Sequence, residues 1–480
     1  MKFICTILFV SICSFAQANE YKISSVKELN DVQQKVHAGD IIVWQNGNYE
    51  DVKINFQPVQ NGTEKQPIIL KAETAGKVVF KGASQLFVSG IYLQAEGFLF
   101  EGTTTIGNSD NVIEFAAQFK DHHQTTHCRI TNCAIINYSP NNIDNNTNYV
   151  TIRGTFNELD HCYFTGKINR GPIVVVRYKT DNDFIDGSDM APSTHHHIHH
   201  NYFGYRTFPE NGGEDMRVGD SKTSFTHGFN IIEYNYFEDE RLEAEVISNK
   251  SWDNIYRFNS FIGNDGAMVL RHGQKCFVYG NYIDGKTGRN KSGGIRVINA
   301  NQTVFNNYVE NVEGGIKDNL KGGLVIMCGL ENSAINGYYP ADSAIVAFNT
   351  VVNCIAPSIK IGVGNKNKGE PFIAPKNIYL VNNVVINSLG ESNKAAMEYE
   401  NVTYLLCKNN FYTNGGSIDI KGFEAIKEEE ISKIPMDEAI INLINKRLAI
   451  HNIHLTKEEI THFNPNWKLS KKDVGVSWIH

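Results

Sequence analysis

One phrase recurs through the middle of this chain: a β-branched or aromatic run, then Asn, then another aromatic or aliphatic residue. It is centred on Asn132, Asn201, Asn235, Asn259, Asn281, Asn307, Asn349, Asn383 and Asn410, and His161 takes the same place in its own segment. The spacing runs from 22 residues, Asn259 to Asn281, up to 42, Asn307 to Asn349. A floor of that size, with occasional insertions, suits a coil of three short strands and their turns. Sandwiches and barrels also carry many strands, but they do not need one residue type at the same phase of every repeat. The expected fold is therefore all-β, a single-domain right-handed parallel β-helix, with the Asn side chains stacked as a ladder at one corner.

Composition agrees. There are 54 Asn among 480 residues. Asn is poor inside helices and strands but suits tight turns, where it tolerates left-handed dihedrals. With 41% hydrophobic and 20% charged residues, the chain is too apolar for disorder and too polar for a multi-span membrane protein. A net charge of −7 argues against a chain-wide nucleic-acid binder.

The ends read differently from the middle. Lys2, the apolar stretch Phe3 to Phe15 and the small residues Ala16 and Ala18 predict a signal peptide over 1–18, so the chain is expected to be exported to the periplasm or beyond. That stretch is too short for an anchor, and no membrane insertion is expected. The β-helix is expected over 19–418. A helix over Val26–Val36 should cap it before a first strand at Asp40–Trp44. A Lys/Glu-rich segment, 419–480, should cap it and pack on it, with a helix over Met436–Ile450. Seven cysteines remain after the leader. Their odd number and the lack of a CxxC spacing argue against a disulfide framework; most are expected to be buried, and one pair could bridge.

The Asn anchors also give a phase for the polar residues. Asn211 and Arg217 lie 10 and 16 residues past their anchor. Glu243, Glu245 and Lys250 lie 8, 10 and 15 past the next; Arg271 lies 12 and Arg296 15 past the two that follow. With coils about 4.8 Å apart, these side chains should share one outer wall within about 15 Å. Glu243 and Glu245, at i and i+2 on a strand, point the same way. With Asn211 they resemble a hard-cation site of the Ca²⁺ type, the alternative being two solvated surface glutamates. Lys250 and Arg271 fall about one coil apart. A lysine beside an arginine and near a cation has a depressed pKa and can serve as a base; the alternative is a surface lysine on a turn.

The stretches Asn211–Gly219, Glu243–Ser251, Leu270–Gly273 and Gly293–Val297 together resemble polysaccharide lyase family 6, which contains alginate lyases and chondroitinase B. The resemblance implies β-elimination at a uronic acid. Lys250 would be the base and Arg271 the acid. Ca²⁺ held by Asn211, Glu243 and Glu245 would neutralise the substrate carboxylate, with Glu214 a further candidate ligand. Arg217, His272 and Arg296 would bind substrate carboxylates. The motifs resemble the alginate lyases more than chondroitinase B. The expected partner is thus an anionic uronate polysaccharide, alginate with mannuronate-containing linkages. The alternatives are a dermatan sulfate lyase, a pectate lyase or glycosidase on the same fold, and a non-catalytic carbohydrate-binding β-helix. The run His195 to His200 suggests metal binding, but strand alternation sends its members to opposite faces, and packing at the coil corner is the expected role, with a groove edge as the alternative.

Overall fold

The computed structural model describes residues 18–115, 125–178, 193–208, 212–314, 320–333, 337–355, 357–364, 372–387, 405–413 and 421–479. The leader, expected over 1–18, falls outside this set apart from Ala18.

Three long sheets run the length of the molecule, with 14, 11 and 14 strands, and every pairing within them is parallel. Consecutive strands fall in different sheets, and each sheet takes every third strand or so. This is a parallel β-helix. Its strands are mostly three to five residues long because each coil must turn three corners. Residues facing inward stack in register; Val174, Met216, Ile247, Met268 and Ile295 form one such column. They belong to a continuous apolar core that extends from Ile23 to Phe423. Burial of these columns is the main stabilising term for such a coil, whose strands are each too short to persist alone.

The Asn ladder is present from Asn201 to Asn410. Asn259 shows the unit: its Oδ1 accepts the backbone N–H and the Nδ2 of Asn235, and its own Nδ2 donates to Asn281 Oδ1 and to Ile232 O. The same bonds join Asn281, Asn307, Asn349, Asn383 and Asn410. Two expected anchors sit one residue out of phase. Cys162, whose backbone N–H donates to Asn201 Oδ1, continues the column in place of His161, and Cys133 takes it in place of Asn132. Asn132 and His161 instead stand in the neighbouring column with His200, Tyr234, Phe258, Asn306, Asn382 and Asn409, all with φ between 46° and 58°. The doublets Asn306-Asn307 and Asn382-Asn383 thus divide the work: the first Asn takes the left-handed corner, the second the buried ladder. A second ladder at another corner, Cys128, Asn157, His196, Asn230 and Asn254, has no single residue type to betray it in the sequence. All seven described cysteines are free and six are buried.

Ser25 caps the helix Val26–Val32, whose Leu29 and Val32 enter the core beside the first strands. The helix stops short of the expected Val36, and a strand at Glu20–Ile23 precedes the expected first strand, which spans Ile41–Trp44. The C-terminal helix, Glu438–Leu448, lies along the flank of the stack. Its Ile440, Ile441, Ile444 and Leu448 cover outward apolar residues of the first sheet, among them Ile255, Phe277, Phe305 and Ile345. The chain then follows the left-handed corner column back toward the N-terminal coils. Asn382 holds Pro435 and Asp437, Asn306 donates to Glu459 O and His462 O, His200 O accepts from Gly475 N–H, and Asn132 Oδ1 accepts from Trp478 Nε1. The corner residues that cannot point into the coil are the ones that fasten this strap.

The histidine run is distributed by this geometry. His195 and His200 occupy two corners in stacked columns, His195 between Phe156 and Phe229, His200 between His161 and Tyr234. His196 is buried in the second ladder, where burial pushes its pKa down to about 3. His197 and His199 point outward together.

Candidate active site

The 11-stranded sheet carries Arg217, Glu245, Lys250, Arg271 and Arg296 among the phased polar residues. Arg217 on the strand Met216–Val218, Ser248 on Glu245–Lys250, Val269 on Ala267–His272 and Arg296 on Ile295–Val297 are register partners and form one outward row. Two residues further along lies a second row, Arg153, Arg177, Gly219 and Lys250, each following a paired inward residue. At the next coil the register slips: Asn249 pairs with Leu270, but Lys250 pairs with His272. Arg271 is the extra residue of this bulge, beside Lys250 on the adjacent strand. Bulges re-aim side chains in this way at functional sheet faces. Gly219 is required here: its φ is +87°, and a Cβ would come within 2.8 Å of Lys250 O.

Lys250 is partly buried, and its side chain makes no hydrogen bond or ion pair among the described residues. Burial, the charge of Arg217 and, less strongly, that of Arg271 depress its pKa below the usual lysine value, against the pull of Glu214 and Glu245. Arg271 donates from Nη1 to Gly337 O at 2.7 Å and lies over the Tyr338 ring, 3.9 Å from its centroid. These contacts come from the long excursion between Asn307 and Asn349, which has no phase of its own and so gave no signal in the sequence.

The acids do not sit as the i, i+2 pattern suggests. Glu245 begins its strand, whereas Glu243 lies in the turn before it and is buried. Left-handed Leu242 and the register slip after Glu245 break the alternation that would have aligned them. Glu243 Oε2 accepts the backbone N–H groups of Gly212 and Gly213, and Oε1 accepts that of Ala244. Glu245 Oε1 accepts from Arg296 Nη2 at 2.8 Å, with Arg271 Nε at 3.9 Å. Glu214 binds Arg217 through both oxygens. Arg217 and Arg296, expected to meet substrate, are therefore already paired with wall carboxylates. His272 is buried, with Nδ1 3.2 Å from Ser224 Oγ. Asn211 lies outside the described residues.

The donor set around Glu243 consists of oxygens. Burial raises the Glu243 pKa and the neighbouring Glu214 charge adds to it, while Glu214, also buried, is held low by Arg217 and Lys250. Beneath them Asp215, fully buried with neither oxygen hydrogen-bonded among the described residues, is pushed up to about 7 by burial against the pull of Arg206. Such crowded, underneutralised carboxylate oxygens suit a hard divalent cation. Their oxygens do not belong to either described group of metal-binding atoms that converge within 4.8 Å.

Sequence reading missed Arg177 and this buried layer of Lys167, Arg206, Asp215 and Glu240. Arg177 is half-buried, its pKa lowered by burial and by Arg153, and it makes no hydrogen bond through its side chain among the described residues.

The chondroitinase B family model matches residues 23–455. The chain belongs to polysaccharide lyase family 6. Among solved structures of the family, the alginate lyase AlyGC is 31% identical with a TM-score of 0.80, covering 96% of this chain and 59% of AlyGC. A mannuronic acid specific family 6 lyase from human gut microbiota is 24% identical with a TM-score of 0.72, over 96% of this chain and 97% of that one. The family 6 lyase Pedsa3628 from Pseudopedobacter saltans is also 24% identical, with a TM-score of 0.68 over 96% and 100%. These last two share the fold. The chain spans 59% of the length of AlyGC. No curated protein matches it. Among the described residues no helix is long and apolar enough to cross a membrane.

Proposed function

We propose that this family 6 member is an exported alginate lyase acting by β-elimination, with mannuronate-containing linkages as its preferred bonds. The observation that carries the reading is the partly buried Lys250, without a side-chain partner among the described residues, beside Arg271 on an outer wall lined by arginines. A lysine whose burial and cationic neighbours favour the neutral amine can take the C5 proton of a uronate, and Arg271 stands on the next strand to assist departure of the glycosidic oxygen. An arginine this close to a carbonyl and an aromatic ring is fixed in direction, so it stabilises developing negative charge as well as donating a hydrogen bond. Arg177, which has no side-chain ion pair among the described residues, gives the wall positive charge that suits a polyuronate despite the chain's net −7, whereas Arg217 and Arg296 are already paired with Glu214 and Glu245.

Glu243, Glu245 and Asn211 would hold Ca²⁺, and Glu214 lies close enough to Glu243 to raise its pKa. Bound there, the ion would neutralise a uronate carboxylate and so acidify C5–H. The chain's own residues orient and protonate: Gly212 and Gly213 N–H fix the Glu243 carboxylate, and Arg296 fixes Glu245.

The test is incubation of purified protein with polymannuronate, polyguluronate, mixed alginate and dermatan sulfate, following ultraviolet absorbance of the unsaturated product. Fastest release from polymannuronate supports the reading. Release from dermatan sulfate alone would favour the chondroitinase B alternative, and reducing ends without new absorbance would mean hydrolysis. Chelation should abolish activity and Ca²⁺ should restore it; unchanged activity after chelation would remove the ion from the account.

A further inference from the structure

The first sheet, a different face from the arginine-lined wall, carries a second cluster of chemically capable side chains. Glu158, Asp160, His197, His199 and Glu233 stand outward on three adjacent strands. The register is direct: Glu158 pairs with His197, Asp160 with His199, and His199 with Glu233. His197 and His199 are two residues apart on one strand, so alternation sets both rings on the same face, with centroids 4.0 Å apart. One ligand atom from each of Glu158, His197 and His199 lies within 4.8 Å of the others.

We propose that Glu158, His197 and His199 form a binding site for a borderline divalent transition-metal ion of the zinc class, which staples two neighbouring coils.

Two imidazoles and one carboxylate select such an ion over Ca²⁺, which takes oxygens. Three protein ligands leave a fourth position for solvent. Each ring is already oriented by a group behind it. Glu233 Oε1 is 2.8 Å from His197 Nε2, and His200 Nδ1 is 2.8 Å from His199 Nδ1, which leaves His199 Nε2 facing Glu158 Oε1 at 2.8 Å. Carboxylates behind metal-binding histidines serve this purpose.

The surrounding charge also fits. Arg129 is bound through two nitrogens to Asp160, and Arg257 through Nε to Glu233, so the three carboxylates and two guanidiniums of the patch carry one net negative charge beside the imidazoles. Arg129 is thereby held on Asp160, with its Nε 3.7 Å from the far oxygen of Glu158. The site is reachable: the side chains of Glu158 and His197 are 36% and 41% exposed, while His199, at 11%, forms its floor. The alternative triad Asp160, His161 and His199 is less available because Asp160 already accepts from Arg129, Thr131 and His161.

The test is calorimetric titration of the chelator-treated full chain with ZnCl₂, in excess CaCl₂ so that any all-oxygen site is filled. The expected result is one saturable site per chain, absent in His197→Ala/His199→Ala and weakened about tenfold or more in Glu158→Gln or Glu233→Gln. Co²⁺ in place of Zn²⁺ should give visible absorption in the wild type and none in the double variant. Should the double variant fail to fold, His199→Gln, which keeps a hydrogen-bonding side chain toward Glu158, carries the same test. Identical Zn²⁺ isotherms for wild type and His199→Gln, or no saturable site in the wild type, would overturn the proposal.

Discussion

Arg296 Nη2 lies 2.8 Å from Glu245 Oε1, and the two side chains are only 4% and 13% exposed. The guanidinium is therefore neutralised within the wall, while its Nε is buried without a hydrogen-bond partner among the described residues. Removing one charge from such a pair leaves the other buried and unbalanced, which costs about 3–5 kcal/mol. Glu245→Gln is expected to destabilise the fold by about 3 kcal/mol in urea denaturation. Glu245→Gln/Arg296→Met should recover much of that loss.

The ladder gives a second prediction. Asn259→Ala leaves the backbone N–H of Asn235 without its acceptor and removes one bond each from Asn235 Nδ2, Ile232 O and Asn281 Oδ1, the last still accepting the backbone N–H of residue 259, all in a fully buried setting. At about 1–3 kcal/mol for each stranded buried group, this variant should lose more stability than a typical surface substitution by several-fold. Chemical denaturation of Asn259→Ala against an exposed variant such as Lys27→Ala measures the difference.

The coil and its Asn corner were legible in the sequence because burial forces one polar residue type to repeat wherever the same hydrogen bonds must be satisfied. Where another residue meets the need, as Cys133 and Cys162 do, the repeat misled by one position. The second ladder stayed hidden because Cys, Asn, His and Gln share its column. At the candidate site, phase found Arg217, Lys250, Arg271 and Arg296. It could not show that a bulge singles out Arg271, that Glu243 leaves the strand, or that Tyr338 arrives from an insertion. Those depend on backbone irregularities that periodic reading averages away.

Asp215 supplies a pH signature. Its pKa rises from an ordinary 3.8 to about 7 in the fold. Below pH 4 the group is protonated both folded and unfolded and has no effect. Between about 4 and 7 the unfolded chain releases the proton while the fold retains it, so stability falls as pH rises, and the destabilisation from this group is complete above about 7. Asp215→Asn should flatten that slope and be the more stable protein at pH 8, read from urea midpoints at pH 5 and 8. A wild-type slope retained in the variant would assign the effect elsewhere.

Arg177 is a half-buried guanidinium with no side-chain partner among the described residues, in the same outward row as Lys250 and two coils away along the wall. If it meets a substrate carboxylate, Arg177→Ala removes a charge-assisted hydrogen bond present before and during reaction. KM on alginate should then rise about tenfold or more with kcat little changed. Steady-state kinetics separate the two constants.

The most direct test of the account is the initial rate of unsaturated-product release from alginate by the wild type and Lys250→Ala, compared across pH. The account predicts a wild-type rate that climbs with pH as Lys250 loses its proton, at a pH below the ordinary lysine range because its pKa is lowered. In Lys250→Ala the rate should be about 10²–10⁴-fold lower, with that limb gone and the melting curve retained. A Lys250→Ala protein that releases product at the wild-type rate would contradict the assignment of the base, and with it the reading of this wall as the catalytic face.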